Sequence, residues 1–355
     1  MQLVISSSVT IVNRSSLGMV RFELFIFYFT VLVLIKYKSA PTFTQDGLKV
    51  GGVFQCPFSP FTNDCFGITT DLTPAYNNSL YGLSMATDNG RLITCAPKFK
   101  KKGSNNRDES MQVESLVGTC DLWQQMSGQG YLRQTSNSLL SSPVEHLPHT
   151  TFWRTRQDTF HFAKAEFGIS VNAVGDEFVI GGGGTHSWSG TIVAGGYDDL
   201  KLADTPYCSK QDVKQDDNIY KRCSKLSQTQ DSYGGMATLI LKNVSGYSGK
   251  TVYVSGLPGD GGYGSVRFYQ KSGSRLVEIT PLALVGKEKF LEAFEMGAIS
   301  HKGGLASSFG YALTSTDLNG DGLDDLIVGA PQYFDYAENI GGAVFVFFSD
   351  PSGKA

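Results

Sequence analysis

The sequence predicts an all-β fold of repeated small sheets, a β-propeller, on three observations. Glycine is abundant, 41 of 355 residues, and falls between short apolar runs, the punctuation of many short strands and tight turns. An aromatic-Gly pair followed by a strand-like run recurs at Tyr81-Gly82, Phe167-Gly168, Tyr233-Gly234 and Phe309-Gly310. The stretch from Asp317 to Asp325 reads D-x-N-x-D-G-x-x-D between short β-branched or apolar runs, as a cation loop inside a hairpin would.

Each repeat runs from its aromatic-Gly start to a Gly/Ala/Pro stop. The stops are Cys95-Ala96-Pro97, Gly181 to Gly184, Ser255-Gly256-Leu257-Pro258 and Gly329-Ala330-Pro331. A third strand follows in several copies, as in Gly262 to Tyr269 and Gly341 to Phe348, and Gly51 to Cys56 looks like the tail of an earlier copy. Starts at 81, 167, 233 and 309 are roughly 65 to 85 residues apart, which suits propeller blades with long decorated loops.

The Asp317 loop carries the chemistry. Hard cations such as calcium need several oxygen ligands in a tight turn. Asp317, Asn319, Asp321 and Asp325 offer side-chain oxygens and Leu323 its carbonyl, while Gly322 permits the sharp turn. Three carboxylates so close repel one another unless a cation lies between them. An EF-hand would need a bidentate Glu at the twelfth position, where Val328 stands, and a helix on each side.

Net charge is −3 with no long basic run, so nucleic acid is not favoured as a partner. The six cysteines, Cys56, Cys65, Cys95, Cys120, Cys208 and Cys223, form no C-x-x-C, which argues against zinc and thioredoxin-like chemistry. Their even number suits disulfides in an oxidising compartment, with nearest neighbours as one of several pairings. Asn77 and Asn243 head glycosylation sequons. Residues 1–38 include the apolar run Leu24 to Ile35, preceded by Arg14 and Arg21. It suits a signal-peptide core, with a buried strand or an incorrect start as alternatives.

Residues 39–355 resemble the head region of an integrin α subunit, in which seven FG-GAP blades close a propeller. The resemblance rests on the Phe-Gly and Gly-Ala-Pro repeats, the nine-residue cation loop, Gly181 to Ile192 (GGGGTHSWSGTI) and Asp231 to Gly235 (DSYGG). It implies a seven-bladed-type propeller, incomplete here with about five blades, and the disulfides Cys56–Cys65 and Cys95–Cys120. It also implies Ca2+ in the Asp317 loop, an integrin β subunit as heterodimer partner, and a matrix or cell-surface protein ligand. The protein would stand at the plasma membrane on the extracellular side, reached by the secretory pathway, and would not be an enzyme. The chain would then be a fragment lacking two blades, the leg domains, the span and the tail.

Several departures qualify the resemblance. The fourth-blade stretch Lys242 to Lys250 has no carboxylate and is expected to bind no calcium. The family's third cysteine pair is absent, so Cys208 and Cys223 are expected to form a local staple, with a free or intermolecular thiol as the alternative. Fewer than about fifty residues separate Cys120 from Phe167, too few for an inserted ligand-binding domain. His186, Ser187, Trp188, Gln230 and Asp231 fall where the family faces its ligand. Gln230 replaces the Asp that holds a ligand arginine, and a neutral amide forms no charge-assisted pair with guanidinium. Arg-Gly-Asp specificity is therefore not expected.

Other chemistry is excluded. Ser248 to Thr251 ends like a P-loop, but Val244 stands where the first glycine belongs. There is no H-E-x-x-H and no G-x-S-x-G. Lys98, Lys100, Lys101 and Lys102 suit a solvated loop. The rival readings are an FG-GAP-repeat propeller of a secreted hydrolase-associated or lectin-like protein, and a truncated product without function.

Overall fold

The computed structural model describes residues 35–57, 65–68, 76–88, 90–102, 114–125, 131–133, 164–197, 231–244, 249–273, 275–279, 284–285, 298–300, 305–335 and 339–349. They form an all-β structure of small antiparallel sheets, an incomplete β-propeller. The first sheet is β1 (Ile35–Ser39), β2 (Val53–Pro57) and β3 (Phe66–Gly67). The second holds β4 (Ser84–Asp88) and β5 (Arg91–Ala96). A ribbon of β6 (Lys100–Lys102) and β7 (Glu114–Leu116) then precedes its outer strands β8 (Thr119–Gln125) and β9 (Tyr131–Arg133). The third is β10 (Ser170–Val174), β11 (Glu177–Gly182) and β12 (Thr191–Gly196). The fourth is β13 (Ala237–Leu241), β14 (Val252–Leu257), β15 (Ser265–Ser272) and β16 (Arg275–Ile279). The strand β17 (Leu284–Val285) belongs to the fifth, while β18 (Ala298–Ser300) returns to β15 of the fourth. The fifth is completed by β19 (Ala312–Thr316), β20 (Asp325–Asp335) and β21 (Ile340–Ser349).

Two details of strand placement differ from expectation. β1 begins at Ile35, inside the segment expected to precede the propeller, because Ile35 to Ser39 pairs in register with Pro57 to Val53. The lysine run is not wholly loop: Lys100 to Lys102 pairs with Leu116 to Glu114, a short ribbon spanning the excursion between β5 and β8.

The apolar core is a series of layers between successive sheets. Because residues along a strand alternate in direction, each middle strand feeds two layers. In β5, Leu92 and Ala96 pack toward the first sheet, and Ile93 and Cys95 toward the third. In β11, Phe178 and Ile180 face the second sheet and Val179 the fourth. In β14, Tyr253 faces the third sheet, and Val252 and Val254 the fifth. This explains why these strands read as continuous apolar runs rather than alternating ones.

The repeats meet at one recurring joint. The glycine leading into β2, β8, β12 or β15 forms an isolated parallel bridge with the repeat start of the next sheet: Gly51 with Tyr81, Gly118 with Phe167, Gly190 with Gly234 and Gly264 with Phe309. At Gly118, φ is +73° and an added Cβ would lie 2.1 Å from the Phe167 carbonyl oxygen, so only glycine fits. The fourth sheet corrects the repeat frame. Gly234, not Tyr233, makes the bridge, and Gly235 takes the positive φ of Gly82, Gly168 and Gly310. Tyr233 is thereby moved to the position of Leu80, Glu166 and Ser308 and turned outward. Gly342 lies within β21, opposite the register shift of β20, at φ +75°, and nothing lies closer to its missing Cβ than the Pro331 carbonyl at 3.6 Å. Beside it Val344, Val346 and Phe348 point outward and are exposed.

Candidate functional site

From the second sheet on, each has a hairpin end, at the β4–β5, β10–β11, β13–β14 and β19–β20 turns, and an opposite bridge end, where the glycine joints lie. The Asp317 loop is the hairpin turn of the fifth sheet, closed by the Thr316–Asp325 pair. β-branched and apolar residues before and after it hold the strands, and Gly320 and Gly322 adopt φ of +79° and +83° to wind the turn.

The loop is wound around its own carboxylates. Asp317 accepts the amides of Gly320 at 2.7 Å, Asp321 at 3.1 Å and Gly322 at 2.8 Å. The Asn319 side-chain oxygen accepts the Asp321 amide at 3.0 Å, and Asp321 accepts the Leu323 amide at 2.9 Å. Asp325 is fully buried; its two oxygens accept the amides of Leu318 at 2.8 Å and Ser349 at 2.9 Å, tying loop to outer strand. Among the described residues no group of three or more His, Cys, Asp or Glu side chains converges as a metal centre, because these carboxylates are spread over the loop amides. The donor set remains one of hard oxygens with three carboxylates, the chemistry calcium prefers over softer metals.

Neighbouring hairpin ends are linked by carboxylates that the local pattern does not single out. Asp88 accepts the Gly175 amide, and Arg91 pairs with Asp176 at 2.6 Å. Glu177 receives donors from the fourth sheet. Asp324, beside the expected ligands, accepts the amides of Lys242 at 2.9 Å and Asn243 at 3.1 Å. These contacts join residues 80 or more apart for Asp88 and Asp324, which periodicity cannot detect.

At the bridge end, Thr185–Trp188 is a single helical turn carrying His186 and Ser187. Trp188 is 38% exposed, at φ +63°, with the Lys164 ammonium 5.2 Å from its ring centre, a cation–π contact. The Tyr233 amide donates to the Trp188 carbonyl at 2.7 Å, and Ser232 Oγ donates to the Ser189 carbonyl at 2.9 Å. Tyr233, 40% exposed, and exposed Asp231 thus stand beside Trp188 on one surface. The aromatic pair is only half legible in the sequence: Trp188 stands in the expected ligand-facing segment, whereas Tyr233 reads as an aromatic-Gly repeat start. Gln230 lies outside the described residues, as do Cys208 and Cys223.

The two disulfides implied by the resemblance are present. Cys56–Cys65 closes the first sheet's outer loop, with Cα atoms 4.3 Å apart. Cys95–Cys120 joins directly opposed residues of β5 and β8, with Cα atoms 4.0 Å apart, and is fully buried against Gly168. Asn77 and Asn243 are exposed, each on a turn; the Asn77 side-chain oxygen accepts the Lys49 amide at 3.1 Å. Beneath the first joint, Tyr76 donates to buried Asp121 and Trp123 Nε1 to the Tyr81 oxygen, both at 3.1 Å. Burial, with the Asp121 charge, holds the Tyr81 hydroxyl protonated well above the usual tyrosine range.

The FG-GAP repeat family matches residues 309–347, which span the Phe309-Gly310 joint, the Asp317 loop and β20–β21. Integrin alpha-7 of Mus musculus is 25% identical over 351 residues, covering 86% of this chain and 27% of that protein. Integrin alpha-V of Gallus gallus is 26% identical over 322 residues, covering 86% and 26%. Against integrin alpha-6 of Homo sapiens, identity reaches 56% over a 46-residue stretch. The chain spans about a quarter of the length of the first of these relatives. Among the described residues no helix is long and apolar enough to cross a membrane. Repeat, fold and similarity agree: the chain carries an FG-GAP repeat at residues 309–347 and is similar to integrin α subunits over most of its length.

Proposed function

We propose that the chain is the propeller segment of a cell-adhesion receptor subunit, pairing with an integrin β subunit and taking part in binding a matrix or cell-surface protein. The observation that carries this reading is the succession of glycine joints between FG-GAP sheets, combined with similarity to integrin α subunits along most of the chain. The bridge end, with Trp188, Tyr233 and Asp231, is the candidate face for β subunit and ligand, with His186, Ser187 and Gln230 as neighbours by sequence. Exposed aromatics with few rotamers suit a protein–protein interface. The segment would work outside the cell, at the plasma membrane, by binding rather than catalysis. Coexpression with integrin β subunits in a secreting cell is expected to yield a copurifying pair. A folded, secreted chain that copurifies with none of them would overturn the proposal.

The Asp317 loop is assigned to calcium, held by Asp317, Asn319, Asp321, the Leu323 carbonyl and Asp325. Its role would be to stiffen the hairpin end of the fifth sheet, with affinity of about 10⁻⁴–10⁻³ M, as in extracellular modules. Calcium at 10 times its Kd stabilises the native state by about 1.4 kcal/mol. Calcium should therefore raise the melting temperature of the wild-type chain, and Asp321→Ala should abolish that rise. A melting temperature that ignores calcium in both proteins would remove the metal assignment.

A further inference from the structure

Glu177 opens β11 of the third sheet, and four groups of the fourth sheet converge on its carboxylate. Lys242 Nζ and Thr251 Oγ1 donate to Oε2. The Tyr253 hydroxyl donates to Oε1 at 2.5 Å and the Lys271 ammonium at 3.2 Å. Lys242 Nζ also donates to Thr251 Oγ1 at 2.9 Å. Burial alone would raise the Glu177 pKa; the bonds from Lys242, Thr251 and Tyr253 and the charge of Lys271 outweigh it and hold the carboxyl at about 2.

Lys242 occupies a telling position. It is the first residue after β13, whose last pair is Leu241–Val252, just as Asp317 is the first residue after β19, whose last pair is Thr316–Asp325. Where one hairpin places its first carboxylate, the other places an ammonium. The main chain of the same residue faces the opposite way: the Lys242 and Asn243 amides donate to Asp324, and the Asp324 amide returns a 2.8 Å bond to the Asn243 carbonyl.

We propose that Lys242 is a built-in cation, whose ammonium on Glu177 braces the third sheet against the fourth without a metal ion, while its main chain clamps the fourth sheet to the Asp317 loop. A half-buried carboxylate with four donors is held by charge-assisted bonds, and losing one partner leaves the other charge poorly compensated. Partial exposure of both side chains screens the pair, so the brace depends on the whole cluster rather than on one ion pair. Only the contrast with the Asp317 loop rests on the calcium reading; the brace does not.

Hydrogen exchange of the secreted chain, with and without EDTA, tests this. Lys242→Met should speed exchange in β11 and β14 by about tenfold, while EDTA leaves those strands of the wild type unchanged. Lys242→Arg, which keeps the charge, should retain most of the protection. Should Lys242→Met fail to fold, Glu177→Gln, nearly isosteric, should open the same two strands. Unchanged exchange in Lys242→Met or Glu177→Gln, or opening of these strands by EDTA in the wild type, would overturn the brace. Failure of the calcium assignment alone would look different: the β19–β20 hairpin would ignore EDTA while Lys242→Met still opened β11 and β14.

Discussion

Replacing Gly118 by alanine is expected to destabilise the chain by about 2–5 kcal/mol, summing a left-handed backbone cost and a steric one. The backbone cost follows from φ +73°, and the steric cost from a Cβ placed 2.1 Å from the carbonyl oxygen and 2.5 Å from the amide nitrogen of Phe167. Both neighbours are main chain, so no rotamer change relieves the overlap. The parallel bridge between the second and third sheets would have to part, and with it the packing of Gly168 against the Cys95–Cys120 disulfide. Gly249→Ala separates the two contributions: its φ is +71°, yet nothing lies within 4 Å of the added carbon. Thermal unfolding of both variants should show Gly249→Ala losing only about 1–2 kcal/mol. Equal losses would mean that the joint is not a close-packed contact.

Truncating Phe309 to alanine is expected to cost about 3–5 kcal/mol, the range for a large aromatic removed from a packed core. Phe309 is 1% exposed and stands edge-on to Phe345, with ring centres 5.2 Å apart, and to Phe347 at 6.2 Å. Its backbone bridges to Gly264 while its ring fills the layer between fourth and fifth sheets, so one residue serves both joint and core. Denaturant unfolding should show the loss as a lower midpoint. Exposed Tyr311, two residues on, provides the contrast: its alanine variant should stay within about 0.5 kcal/mol of wild type. Comparable effects at the two sites would refute the layered core.

What was legible in the sequence was whatever repeats or is local. The glycine joints show because Tyr81, Phe167 and Phe309 precede glycines that must adopt positive φ, and that need recurs with each sheet. The Asp317 hairpin shows because its donors lie within one turn. The frame of the fourth repeat is ambiguous by one residue in the sequence, since Tyr233-Gly234-Gly235 offers two glycines and only the fold decides which makes the bridge. The Glu177 cluster was not legible at all. Its partners come from a turn and two strands 65 or more residues away, and a lone glutamate between apolar runs carries no signature. Asp324 was hidden differently, sitting among expected ligands while its side chain serves the neighbouring sheet.

The glycine joint also has a handedness of use. The second, third and fourth sheets each offer a glycine to one neighbour and a repeat start to the other, so the two halves of the joint are different surfaces. Such a contact is heterologous: it cannot be satisfied by a two-fold partner, and it adds units in one direction until rotation brings the series back on itself. In the fifth sheet Val344, Val346 and Phe348 are exposed beside Gly342, whose positive φ matches that of the bridging glycines. A joint built from unlike halves selects for a complementary surface rather than a copy of itself.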